Sequence, residues 1–469
     1  MEQIGVIIQQ GPQHWAIIQQ EKGFGSIALS GVWAGMADRV INHAQVLARI
    51  VNEADGRIVV PWRPCKMQVE QTWEITLDGI PAGGLYRLET CLQIDNHIAL
   101  EWAARGDMIH HVGVGDIWVI AGQSNAAGYG KGPIEDSPQL GIHLLRHNGV
   151  WDLASHPFNE STASIHYENR EFANPGHSPF LAFGKMIQAH TGSPIGLLQT
   201  AFGGSPLKAW NPDEDGYLYR NMMKIIASAG GKVRGILWYQ GCSDCNPEES
   251  SSYLVRFERM VQHIRLDLNV MDLPILTVQL NRCTDVASIE VNQSWGRVRE
   301  AQRQAALILS EVYTVPALDC PLSDGIHNSP AGNMIIGERM AKVALAHIYT
   351  NTLGSAAAPN LSSVVWQVED GIASICLQFA NVSGYLIAIS PTDKLFSVED
   401  ASGEIEITQW EITARNEITL RLSRSPEGES FVHGAYEMNP SSHLPLDTDT
   451  YMPMLAFYKQ RARLANIDF

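Results

Sequence analysis

One serine and one Asp/His pair in this chain have the types and surroundings that acyl transfer needs. Ser124 sits in the stretch Gly122-Gln123-Ser124-Asn125, directly after an apolar run. Asp324 and His327 stand three apart in Asp324-Gly325-Ile326-His327. A serine hydroxyl is a weak nucleophile until a base takes its proton. A histidine base must in turn be oriented by an acceptor on its other ring nitrogen. The short spacing lets the Asp324 carboxylate hold the His327 imidazole. The negative charge that develops on an attacked carbonyl needs donors fixed in advance, each worth roughly 3 kcal/mol. Gly204, in Phe202-Gly203-Gly204-Ser205, can bring a bare backbone N–H close to such a carbonyl, and Gln240 can offer a side-chain N–H. A second Asp-x-x-His, Asp107 to His110, precedes the apolar run that leads to Ser124 and reads as structural.

None of these short patterns is specific alone; their placement is what counts. Between residues 113 and 353 apolar runs alternate with amphipathic stretches. Strands are predicted at 116–121, 195–200, 234–239, 275–280 and 312–317. Helices are predicted near 179–190, 218–229, 248–267 and 293–309, with a last one opening at Ser329-Pro330, a natural N-cap and first helical residue. Strand alternating with helix implies a parallel sheet covered on both faces. In such sheets ligands bind at the carboxyl ends of the strands. The clusters around Ser124, Gly204, Gln240, Asn281-Arg282 and His327 each follow a predicted strand, so all converge on one sheet edge.

The flanks read differently. Residues 1–112 carry short alternating runs (57–60, 71–77, 85–90) broken by turn signals such as Asp78-Gly79, which fits a sandwich-like module. Residues 354–362 (GSAAAPNLS) read as a linker opening a further β-rich region, 354–469, with strands expected beyond it at 363–367, 372–379, 385–390, 404–407 and 417–422.

Bulk properties narrow the partner. The formal charge of −17 repels phosphate backbones and anionic lipid, so neither nucleic acid nor membrane is expected. No run of eighteen apolar residues occurs. The first residues lack a basic stretch followed by an apolar one, so no secretory signal is expected. The seven cysteines are odd in number and scattered, which speaks against a disulfide framework and for the cytoplasm. Cys242 and Cys245 form a lone CxxC with no second pair, and no HExxH is present, so zinc chemistry is not expected.

With these residues in place, the chain resembles the SGNH hydrolases, and within them the sialate O-acetylesterase and acetylxylan-esterase-like branch. The resemblance is carried by DIWVIAGQSNAAGYG (116–130), LLQTAFGGSPLKAW (197–210), ILWYQGCSD (236–244) and SDGIHNSPAGN (323–333), about half the chain. It implies a flavodoxin-like α/β domain flanked by β-sandwich-like regions. By motif, Ser124 matches the nucleophile, His327 the base and Asp324 its orienting acid. The N–H groups of Ser124 and Gly204 and the Gln240 amide match the oxyanion donors. The branch often has a glutamate where this chain has Cys242, which puts that glutamate's role in doubt here.

The implied reaction removes O-acetyl groups from carbohydrate, such as hemicellulose fragments or acetylated sialic acid, without cofactor or metal. Residues placed for substrate contact are Gln123, Asn125, Trp210, Tyr239, Asp244 and Arg282. A lipid or aryl esterase with the same triad and a non-catalytic carbohydrate-binding protein are the alternatives. The loops near the site (NPGHSP, NPDEDG) are polar and favour a small acyl group on a polar carrier. Association into a homo-oligomer stays open.

Overall fold

A computed structural model describes residues 5–35, 43–94, 104–171, 174–349, 356–390 and 392–465. Its centre is a sheet of parallel strands. Across the sheet the order is Ile142–Leu145, Ile195–Gln199, Ala104–Gly122, Gly235–Tyr239, Ile275–Gln279 and Val312–Pro316. A short strand, Trp151–Leu153, adds antiparallel at one edge. The chain therefore starts in the middle, builds one side, then crosses back to build the other. The reversal lies beside the strand that ends at Gly122, where open parallel sheets leave a crevice for ligand.

The sequence explains why these strands are central. The shorter parallel strands at 195–199, 235–239 and 275–279 are buried at every position. Both faces are covered by helices, so the strands read as apolar runs rather than alternating ones. Ile117, Val119, Ile120, Leu197, Ile236, Leu237, Ile275 and Leu276 are all fully buried. Each such side chain contributes roughly 1.5–3 kcal/mol relative to exposure. The helices are Phe180–Thr191, Tyr217–Ser228, Tyr253–Asp267, Ile289–Ile308 and Pro330–His347. The last begins as its sequence implies: the Ser329 side chain accepts from Gly332 N, with Pro330 as first helical residue. The strands at 142–145 and 151–153 are additions that the sequence pattern did not separate from loop.

Among the described residues the flanking regions are built of β-strands, apart from a 3-10 turn at Val69–Gln71. Near the N-terminus one antiparallel sheet joins Gly5–Gln10, Phe24–Ala34, Thr72–Pro81 and Lys66–Met67. A second layer pairs Ala44–Asn52 with Ile58–Pro64 and Gly83–Ile94. Gly83–Ile94 then pairs with the first half of Ala104–Gly122, so that 19-residue strand runs from the N-terminal layer straight into the central sheet. Val6, Ile27, Leu29, Val46, Ile50, Trp73 and Leu88 fill the core between the two layers. Beyond residue 360 an eight-stranded sheet has its own core around Ile375, Leu377, Val398, Leu420, Val432 and Phe457. The expected region boundary at 353–354 lies outside the described residues. Among the described residues no helix is long and apolar enough to cross a membrane.

Two buried histidines tie stability to pH. His143 Nδ1 lies 2.6 Å from Trp15 O, and His147 Nδ1 accepts from Glu160 N at 3.3 Å. Burial pushes both rings down to a pKa of about 4. Each is neutral when folded but binds a proton more readily when unfolded, so their contribution is present at neutral pH and lost as pH falls toward 4. We expect the melting temperature to drop steadily between about pH 6.5 and pH 4. The slope should be shallower in a His143→Gln, His147→Gln double variant, and an equal slope in thermal melts would remove these rings as the cause.

Candidate active site

Four loops meet at the carboxyl edge of the sheet. The first leaves Gly122 with φ of +126°. A side chain at 122 would overlap the Tyr239 carbonyl of the neighbouring strand, so glycine alone lets the two strands approach here. Gln123 N then donates to Tyr239 O at 3.0 Å, and a short helix opens at Ser124. Ser124 is 7% exposed at the bottom of the edge.

Its hydroxyl meets the fourth loop. Ser124 Oγ lies 2.9 Å from His327 Nε2, although the two residues are 203 apart in sequence. His327 Nδ1 lies 2.7 Å from Asp324 Oδ2. The other carboxylate oxygen of Asp324 accepts Ile326 N at 2.9 Å and His327 N at 2.7 Å. Burial works against the Asp324 charge, but those backbone donors and the imidazole outweigh it and hold the carboxyl below the usual range. With Asp324 ionised, Nδ1 carries the ring proton and Nε2 is free to accept from Ser124.

Amide side chains fix the loop that carries His327. Asn125 donates to Ile326 O at 3.2 Å and accepts Asn328 N at 3.0 Å. Asn281 donates to the same Ile326 oxygen at 2.7 Å, and Thr284 N donates to Gly325 O at 2.8 Å. Asn328 donates to the Tyr239 hydroxyl at 2.9 Å. The Tyr129 ring packs 5.2 Å from the His327 ring. From sequence Asn281 is marked only as part of a strand-end cluster, and Asn328 and Tyr129 only as members of the quoted motif stretches; none is given a role.

The second loop holds two glycines with different duties. A side chain on Gly203 would collide with Tyr129 and Glu171. Gly204 has φ of +65°, and a side chain there would meet open space.

Several expected contacts have other partners. Gln240, expected as an oxyanion donor, is fully buried and its amide N–H groups reach Ser205 O at 3.0 Å and Asp244 Oδ2 at 2.5 Å. An amide nitrogen has two protons, so none remains for an oxyanion. Trp210 and Tyr239 are fully buried and cannot stack on a sugar. The Trp210 indole donates to Ser205 Oγ at 2.9 Å instead. Asp244 is also fully buried, accepts Leu207 N at 3.0 Å and faces Arg256 at 3.6 Å. Burial pushes its carboxyl up to about 6. Asn125 spends its amide oxygen and one of its two N–H groups on the His327 loop, where it acts as a brace. Gln123 is 4% exposed and accepts Gly241 N at 3.0 Å, and half-buried Arg282 donates to Leu318 O at 3.1 Å. The second Asp-x-x-His lies elsewhere: Asp107 accepts Ile8 N and His110 faces Glu53.

Cys242 is a free thiol that burial pushes up to about 12, so it is uncharged and no electrostatic substitute for a carboxylate. Nearby Arg299 is fully buried and donates to the carbonyls of Leu280, Asn281, Tyr436, Glu437 and Met438. Among the described residues one group has metal-ligating atoms converging: Asp136, His156 and His177. There Asp136 already accepts from both rings and from Lys185 at 2.6 Å, and Ser178 N faces the far nitrogen of His156. A ring that binds metal through one nitrogen carries its proton on the other, so a donor facing that atom fits an ion-paired cluster and not a ligand set.

Residues 114–346 match the family model described as carbohydrate esterase, sialic acid-specific acetylesterase. This α/β region belongs to that family. The chain is thereby a carboxylic ester hydrolase of the carbohydrate esterases. It is 28% identical over 257 residues to a probable carbohydrate esterase of Arabidopsis thaliana, covering 49% of this chain and 90% of that one. It is 21% identical over 212 residues to sialate O-acetylesterase of Homo sapiens, covering 37% of this chain but only 39% of the human protein. The fold as a whole is similar to the crystal structure of a carbohydrate acetylesterase from Xanthomonas citri, with a TM-score of 0.65 at 19% identity over 96% of this chain and 98% of that one.

The brace at Asn125 is testable. Asn125→Ala leaves Asn328 N without its acceptor, and we expect a stability loss of about 1–3 kcal/mol in urea unfolding. Ester turnover should fall with it, because the His327 loop loses its tie. Wild-type stability and turnover would show the brace to be idle.

Proposed function

We propose that this carbohydrate esterase removes acetyl groups from saccharide hydroxyls through an acetyl-serine intermediate. The observation that carries the reading is the unbroken line from Asp324 through His327 to the Ser124 hydroxyl, at 2.7 and 2.9 Å. His327 Nε2 takes the proton as Ser124 Oγ attacks the acetyl carbonyl. The oxyanion is held by the N–H groups of Ser124, at the first turn of its short helix, and of Gly204. The sugar oxygen leaves with the proton now on His327, and water then releases acetate by the reverse sequence. Of the sequence-derived substrate contacts, half-buried Arg282 is kept in this reading, whereas Gln123 and Asn125 are buried. We read the chain as a catalytic unit at 113–353 between sandwich-like β units at 1–112 and 354–469; each has an apolar cluster, although the central one also takes in Ala16, Ile17, Met438, Met452 and Leu455, and the strand Ala104–Gly122 crosses the first boundary. Acetylated hemicellulose fragments and acetylated sialic acid are the substrates that fit this reading.

Ser124→Ala should lower turnover of p-nitrophenyl acetate by at least about 10³-fold, and Asp324→Asn by roughly 10²–10⁴-fold. Acetate release from acetylated oligosaccharides should fall in parallel. Retained activity in Ser124→Ala or a preference for the octanoate ester would each reject this assignment.

A further inference from the structure

The mechanism above needs Gly204 N–H to point at the reacting carbonyl before substrate arrives. Two adjacent glycines are poorly suited to that, because each samples both signs of φ freely. An oxyanion donor is effective only when its direction is fixed in advance. Something outside the loop must therefore hold it.

Two side chains hold the loop: Ser243 Oγ donates to Gly204 O at 3.0 Å, and the Glu171 carboxyl takes the N–H of Gly203. Glu171 Oε2 accepts Gly203 N at 2.9 Å, and Oε1 accepts the Asn159 side-chain amide at 3.1 Å. The Tyr129 hydroxyl is a third partner of the carboxyl. Tyr129 and Glu171 together fill the space that a side chain on Gly203 would need. The segment bearing Glu171 is anchored to the same sheet edge: Asn169 donates to Thr200 O at 3.2 Å. Burial pushes the Glu171 carboxyl above its ordinary range, and these donors work against that rise. Tyr129 also packs against the His327 ring, so one carboxyl supports both the glycine loop and a face of the base.

Resting on the serine-esterase reading, we propose that Glu171 is a positioning residue that pins Gly203 and so aims Gly204 N–H into the oxyanion site. The two carboxylate oxygens serve different donors, Oε2 the Gly203 N–H and Oε1 the Asn159 amide. A glutamine has one acceptor oxygen, so its NH₂ must face either Gly203 N–H or the Asn159 amide. An aspartate keeps both acceptors but is one methylene shorter.

The test is steady-state hydrolysis of p-nitrophenyl acetate by the full chain and its Glu171→Gln, Glu171→Asp and Ser124→Ala variants, with thermal melts alongside. We expect Glu171→Gln to lose about 10- to 100-fold in kcat and in kcat/KM together, with KM within about threefold, because the donor is misaimed rather than removed. Glu171→Asp should recover part of the loss. An inactive Ser124→Ala beside a Glu171→Gln of wild-type kcat would overturn the positioning role and leave the esterase reading intact. An active Ser124→Ala would overturn the esterase reading itself. If Glu171→Gln fails to fold, Glu171→Asp decides: a lower kcat at unchanged KM upholds the role, and a wild-type kcat ends it.

Discussion

The 2.9 Å contact between Ser124 Oγ and His327 Nε2 closes a loop of 203 residues, and neither side chain could find the other without the sheet. The proposed chemistry rests on that contact. It requires the strand ending at Gly122 to lie beside Gly235–Tyr239, with Ile275–Gln279 and Val312–Pro316 stacked outward in parallel. Register is set by the buried apolar residues of each strand, since a slip of one position would move every side chain to the opposite face. The apolar core thus acts as the ruler that sets the distance between two polar atoms at its rim.

Rim geometry is held by amides more than by charges. Asn125, Asn281 and Asn328 each bridge the His327 loop to another element, and Gln240 ties the Ser205 and Asp244 loops underneath. Side-chain amides both donate and accept, so one residue can satisfy two backbone groups that the loops would otherwise bury unpaired. The β region after residue 360 takes part through Arg299. Its guanidinium joins Leu280 and Asn281 at a strand end to Tyr436, Glu437 and Met438, and burial pushes its pKa down to about 10. The C-terminal region is therefore continuous with the support beneath Asn281, which in turn holds Ile326.

Much of the architecture was legible in the sequence. The predicted parallel strands and the helices between them match the observed ones to within a few residues, apart from a break within 248–267 and the first strand, which begins at Ala104 rather than 116, because strands buried on both faces read as unbroken apolar runs. The edge strands 142–145 and 151–153 were not legible; each is short and defined by its neighbour. Ser124, Asp324 and His327 were legible because each follows a strand end on one edge. The substrate contacts were less so. Trp210, Tyr239, Asp244 and Gln240 have the residue types that bind sugars or oxyanions, but all four are buried beneath the loops.

By itself the sequence determined the order of strands and helices, the loops that gather at one edge, and the residue types those loops carry. These follow from local periodicity and turn chemistry, which are properties of neighbours in the chain. Only the tertiary structure decided which polar groups face the cleft and which are consumed below it. A glutamine that donates to an oxyanion and one that braces two loops are written with the same letter. Which it becomes depends on partners 35 residues away, at Ser205, and 4 away, at Asp244. Glu171 shows the reverse case: nothing around it in sequence marks it, and its place under Gly203 exists only once the sheet has formed.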